Sequence, residues 1–65
     1  MKVKYFKDTD TLYIEFRALT VSESKDLDEN TAMDLDAKGN VCAITGEHAS
    51  VRTDIGQVTL EGIAA

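Results

Sequence analysis

The chain is expected to be a small α+β domain. Its main feature would be an antiparallel β-meander sheet of four to six strands, with a short helical turn near the C-terminus. Three observations predict this. Short runs alternate apolar and polar residues, which places successive side chains on opposite faces of a pleated strand. Clusters of Asp, Asn, Thr, Lys and Gly separate those runs, as turns do. Past Gly46 the alternation stops, and Ala49-Ser50-Val51-Arg52-Thr53-Asp54-Ile55 has no strand period.

The organising stretch is Ala32 to His48, which reads strand, turn, strand. Met33 and Leu35 alternate with Asp34 and Asp36, Lys38-Gly39-Asn40 interrupts, and Val41-Cys42-Ala43-Ile44-Thr45 resumes. Gly39 and Asn40 tolerate the positive φ that a tight hairpin demands. Upstream, Lys2-Val3-Lys4-Tyr5-Phe6 is a first strand with Val3 and Tyr5 on one face. Its branched and aromatic side chains suit a pleated surface. Lys7-Asp8-Thr9-Asp10 is a turn, and Thr11 to Arg17 a second strand with Leu12, Ile14 and Phe16 on one face. Val21 to Leu27 is a polar third strand, best placed at a sheet edge, where charge discourages pairing with other chains. Asp28-Glu29-Asn30 turns the chain into the central hairpin.

Downstream, Ser50 is the expected cap of one helical turn, and Gly56 its expected stop. Gln57-Val58-Thr59-Leu60-Glu61 alternates again and reads as a short last strand. Gly62-Ile63-Ala64-Ala65 is small and apolar, so docking on this chain or on a second copy is expected. The core candidates are Val3, Tyr5, Leu12, Ile14, Phe16, Val21, Met33, Leu35 and Ile44. Val41 and Ala43 alternate against Ile44, and the pattern leaves open which set faces inward.

With 65 residues, the chain is one domain spanning positions 1–65. A chain of this size buries only roughly 60% of its unfolded surface. Nothing staples it: Cys42 is the single cysteine, so no internal disulfide forms. A lone thiol and a charged N-terminus without a signal pattern imply a reducing cytoplasm. No apolar run approaches the ~18 residues of a membrane helix. The remaining stabiliser is association, so self-association or a complex is expected.

The net charge of −5 repels a phosphate backbone and argues against nucleic acid. It suits solubility or a basic protein partner.

Few residues suggest chemistry. His48, beside Glu47 and near Ser50, is the only side chain titrating near neutrality. Adjacent strand residues point to opposite faces, so Glu47 and His48 do not serve each other simply. A structural His48 is the preferred reading, a partner contact at Glu47, His48 and Arg52 the second, and catalysis the last.

Asp8/Asp10, Asp26/Asp28 and Asp34/Asp36 share D-x-D spacing. From Asp34 onward the sequence begins like a calcium loop, with Gly39 at its sixth place. Lys38 and Thr45 then stand where ligands belong, so calcium is not expected. One Cys and one His cannot build a zinc site. No cofactor is expected, and no catalytic or metal residue is assigned. Tyr5, Phe6, Tyr13 and Phe16 read as packing residues, because no basic groove accompanies them.

The ordered pieces Lys2-Val3-Lys4-Tyr5, Asp8-x-Asp10-x-Leu12-Tyr13-Ile14, Val21-x-Glu23-Ser24 and Met33-Asp34-Leu35-Asp36-x-x-Gly39-Asn40-Val41 resemble the bacterial domain of unknown function 2283 (DUF2283). The resemblance runs from Met1 to about Ser50, with weaker similarity from Leu60 to Ala65. It implies a small antiparallel β-meander with a short helix near the C-terminal end. It supplies no catalytic residues and no established activity. Some members are encoded beside a small putative toxin, which implies an antitoxin-like role. The chain departs from the family pattern at Thr45-Gly46-Glu47, where an apolar residue is expected before the acid. Gly46 is therefore expected to loosen or bulge the fifth strand. Together these readings favour a non-enzymatic protein-binding module. The alternatives are an acidic partner of a basic toxin and a structural homo-oligomer, with a small hydrolase or metal protein at Glu47 and His48 ranked last.

Overall fold

The computed structural model describes residues 1–62. The strands are β1 (Lys2–Phe6), β2 (Thr11–Glu15), β3 (Glu23–Asp28), β4 (Thr31–Leu35) and β5 (Val41–Gly46), followed by the one-turn helix α1 (Ala49–Arg52). All strand pairs are antiparallel, in the order β1-β2-β5-β4-β3. The α+β class and the single antiparallel sheet are as the sequence predicts.

The strand order is not a sequential meander. β5 returns to lie between β2 and β4, so β2 to β5 form a Greek key, with β1 added as a further edge. Composition explains the choice. A strand between β2 and β4 must pair on both sides, and Val41 to Thr45 is apolar enough to be central. β3, with Glu23, Lys25, Asp26 and Asp28, sits at the far edge as expected. The link from Phe16 to Ser22 crosses the end of the sheet. It is fastened by Phe16 N–H donating to Cys42 O at 2.7 Å and Ser22 N–H donating to Leu35 O at 2.8 Å.

Register assigns the faces, because directly paired residues project to the same side. One row reads Val3, Ile14, Ile44, Met33, Lys25, and the next Tyr5, Leu12, Gly46, Thr31, Asp28. The opposite side carries Lys4, Tyr13, Thr45, Ala32, Asp26 and Lys2, Glu15, Ala43, Asp34, Ser24. Ile44 thus joins the apolar side and Ala43 the other, which settles the alternation left open above.

The buried apolar core is small: Cys42 (0% exposed), Ala43 (1%), Ala49 (2%) and Leu35 (8%). Leu12, Ile14, Met33 and Ile44 are half-buried. Four expected core residues are corrected. Val3 and Tyr5 lie on the apolar face but are 49% and 37% exposed, and Phe16 and Val21 fall in the crossing link, exposed. The cause is the single layer: a four-residue helix covers only the middle of the sheet.

Three further expectations change. Gln57–Glu61 is not a strand; the segment has no ladder partner among the described residues, and Val58 and Leu60 are 83% and 84% exposed. Gly46 pairs regularly with Leu12 and Thr31, while the irregularities fall at Asp26/Asp28 and Asp34/Leu35. The second sets Leu35 against Val41 with Cys42 between, as a bulge does. The helix ends at Arg52, ahead of Gly56; Thr53 closes it through its amide and hydroxyl, both donating to Ala49 O. Of the apolar C-terminal tail, residues 63–65 lie outside the described residues.

Candidate interaction surface

The helix is clamped to the sheet at two points. The first is Asp10, the last residue of the β1–β2 turn, in the left-handed region with φ 52°. Aspartate tolerates that region because its short side chain bonds locally. Here it bonds across 40 positions of sequence. Oδ1 accepts the Ser50 amide at 3.0 Å, Oδ2 accepts the Ser50 hydroxyl at 2.7 Å, and Asp10 O accepts the Ala49 amide at 2.9 Å. The Tyr5 hydroxyl donates to Oδ1 at 2.5 Å. Asp10 therefore caps α1 from outside the helix, doing what an N-cap side chain usually does. Ser50, the expected cap, lies inside the helix as a donor to Asp10, and His48 occupies the N-cap position without a side-chain cap. The Tyr5 hydrogen bond, then those from Ser50, hold the Asp10 carboxyl below the usual carboxylate range, and the same Tyr5 bond raises the phenol.

The second clamp is Arg52. Its guanidinium donates to Asn30 O at 2.9 Å, Glu47 O at 3.0 Å and Thr31 Oγ1 at 2.6 Å, and lies 4.0 Å from the Asp28 carboxylate. This ties the helix to the β3–β4 turn. The guanidinium passes beside Gly46, where a Cβ would stand 3.7 Å from it, an ordinary van der Waals contact.

Of the three sequence-proposed contact residues, Arg52 is thus engaged within the chain, while Glu47 and His48 are exposed at the helix entrance. Glu47 meets Arg52 only through its backbone carbonyl. His48 has φ 55°, a left-handed conformation that costs a non-glycine residue about 1–2 kcal/mol. Ser50 directs its proton to Asp10 rather than to an imidazole, an arrangement of capping rather than of nucleophile activation.

The D-x-D pairs resolve into turn chemistry. The second aspartate of each pair orders a turn or cap: Asp10 as above, Asp28 accepting the Asn30 amide at 2.8 Å, and Asp36 accepting the Lys38 and Asn40 amides at 2.9 and 2.8 Å. These hydrogen bonds hold the Asp28 and Asp36 carboxyls below the usual carboxylate range as well. Asp34 instead accepts the Ser24 hydroxyl at 2.6 Å. Among the described residues, no group of three or more His, Cys, Asp or Glu side chains is placed to hold a metal. The Cys42 thiol is free, and burial pushes its pKa up.

Between the clamps lies the apolar face. A groove of about 190 Å³ runs under the helix, floored by Leu12, Ile14 and Ile44. Another, of about 370 Å³, continues over Val3, Tyr5, Leu12 and Ile14 to Ile55 and Val58. They share Leu12, Ile14 and Thr53, so together they form one open apolar surface with the helix set into it. Sequence reasoning found the residues of this surface but read them as core. It missed Asp10 as a cap, since an Asp-Thr-Asp turn signals only local bonding.

The fold and surface define a small single-layer β protein, with a helix pinned on one face and apolar surface left beside it. It belongs to the family described as protein of unknown function (DUF2283), whose model matches residues 2–50. That match covers all five strands and ends on the second residue of the helix. No curated protein and no solved structure matches the chain. No helix among the described residues is long and apolar enough to cross a membrane.

Proposed function

We propose that this protein is a non-enzymatic, cytoplasmic protein-binding module that docks another polypeptide on the apolar face of its sheet. One observation carries the reading: Val3 and Tyr5 lie in the same paired rows as Ile14, Ile44 and Leu12, yet remain 49% and 37% exposed. Contiguous exposed apolar surface of this kind marks interaction sites in soluble proteins. The polar groups nearest the helix support a binding role rather than a chemical one, because Asp10, Ser50 and Arg52 spend their hydrogen bonds holding α1. Glu47 and His48, exposed at the helix entrance, would stand at the margin of the contact. The second reading is an acidic partner for a basic protein such as a small toxin, favoured by the net charge of −5.

Site-specific photocrosslinking in native lysate tests the proposal. A crosslinker at Val3 should give a discrete polypeptide adduct, and one at Lys4, on the opposite face, should not. Equal labelling from both positions, or none from either, would refute it.

A further inference from the structure

We infer that the polypeptide covering the apolar face is a second copy of this chain, the two copies meeting through the apolar surface left open beside α1. This rests on the binding reading above and names its partner. Three observations favour a copy over other occupants.

The first is area. The chain exposes 5266 Å². A compact monomer of 7.1 kDa would expose about 4,100 Å² by the usual scaling. Val3, Tyr5 and Val58 hold part of that excess of about 1,200 Å², against the ~800 Å² that each partner contributes to a standard interface. The flatness agrees: the extents are 36 × 34 × 18 Å, and the radius of gyration is 13.0 Å. A compact chain of this length would have a radius near 11 Å.

The second is charge. A basic partner needs acids on the surface it touches. The paired rows of this face hold three ionic residues, Glu23, Lys25 and Asp28, all on the β3 edge strand. Lys25 lies 3.4 Å from Glu23, and Asp28 faces Arg52. The neutral remainder, Val3, Ile14, Ile44 and Leu12, fits a neutral apolar surface, which a copy provides. Two chains of net charge −5 can meet here because the charges of Lys2, Lys4, Glu15, Asp26 and Asp34 project from the other side.

The third is the segment after the helix. Val58 lines the same groove as Val3 and Tyr5, yet is 83% exposed, so the groove is unfinished at its outer wall. A second copy seated against this open wall covers Val3 and Val58 together.

Sedimentation equilibrium on the full chain reads this directly. Wild type should run at twice the 7.1-kDa chain mass at micromolar concentration. Val3→Glu should weaken the dimer at least tenfold, because a carboxylate is desolvated without a partner. Val58→Glu should act in the same direction, and its position outside the strands keeps folding out of the result. Lys4→Glu should leave the dimer intact. A dimer insensitive to both glutamates, or one broken by Lys4→Glu alone, overturns the inference.

A wild type that stays monomeric at 100 µM, on the order of a weak-complex limit, also overturns it, and a hydrophobic dye then separates the two claims. Dye binding abolished by Val3→Glu leaves the face as a docking site for a different chain. Dye binding absent, or unchanged by Val3→Glu, removes the docking proposal as well.

Discussion

The two faces of this sheet share five strands and are finished in different ways. On the polar face, Ala43 is buried and Tyr13 half-buried, while Lys4 meets water and the half-buried Asp34 accepts the Ser24 hydroxyl at 2.6 Å. That side needs nothing more, since solvent satisfies charges. On the apolar face, Ile14 and Ile44 are only half-buried under a helix four residues long. Water cannot complete that side, because apolar surface loses about 25 cal/mol per Å² left exposed. The difference teaches that alternation creates two surfaces, while chain length decides how many of them can be covered. Sixty-five residues suffice for one sheet and one helical turn.

The contrast can be broken or sharpened experimentally. The largest effect should come from Leu35→Ala, on the apolar side where β4 meets the bulge. Truncating this 8%-exposed side chain should cost about 2–5 kcal/mol, enough to unfold a marginal domain, and urea titration followed by circular dichroism measures it.

Acid should come next. Asp10, Asp28 and Asp36 all have carboxyl pKa values lowered in the folded state by the hydrogen bonds they accept. Their hydrogen bonds therefore contribute fully above the unfolded value near 3.9, and are lost as pH falls through the lower folded values. Thermal melts should be flat from about pH 7 to 5 as far as these groups are concerned, and drop steeply below about pH 4. Asp10→Asn should remove part of that drop and release the Ser50 amide to rapid hydrogen exchange while the sheet amides stay protected.

His48→Gly should move stability the other way, raising it by up to about 1 kcal/mol, because glycine adopts the left-handed conformation without strain. If stability rises but crosslinking at Val3 is lost, His48 contacts the partner. Lys4→Ala, on the polar face, should change stability by less than about 0.5 kcal/mol. A larger loss would mean the polar face is not self-sufficient. Independently, the buried Cys42 thiol should resist alkylation at pH 8 in the native protein and react fully in denaturant, read by mass spectrometry.

Local pattern made much of this legible. Alternation located β1 at Lys2–Phe6 and β5 at Val41–Gly46 nearly to the residue, and the charge of β3 put it at an edge. The turn at Lys38-Gly39-Asn40 followed from residues that tolerate positive φ, which Gly39 adopts at 84°, while the Asp36 carboxylate that accepts the Lys38 and Asn40 amides emerged only from the structure. The candidate surface was legible only as a set of residues. Val3, Tyr5, Leu12 and Ile14 were identified, but whether anything covers them depends on distant segments. Gln57–Glu61 shows the limit from the other side: its alternation is that of a strand, but it pairs with neither outer edge of the sheet, β1 or β3, among the described residues.

What the amino-acid order determined by itself is therefore the short-range part: where strands start, where turns fall, and which side chains share a face. These depend on backbone sterics and on period-two geometry, which act within a few residues. The tertiary structure alone decided that β5 lies between β2 and β4, that Asp10 caps a helix 40 positions away, and that Arg52 closes the other side. Those contacts rest on loop closure between remote segments, whose weak dependence on length leaves no local signature. The open apolar face follows from both: residues chosen by the sequence, and left uncovered by a chain that ends its folding in a single layer.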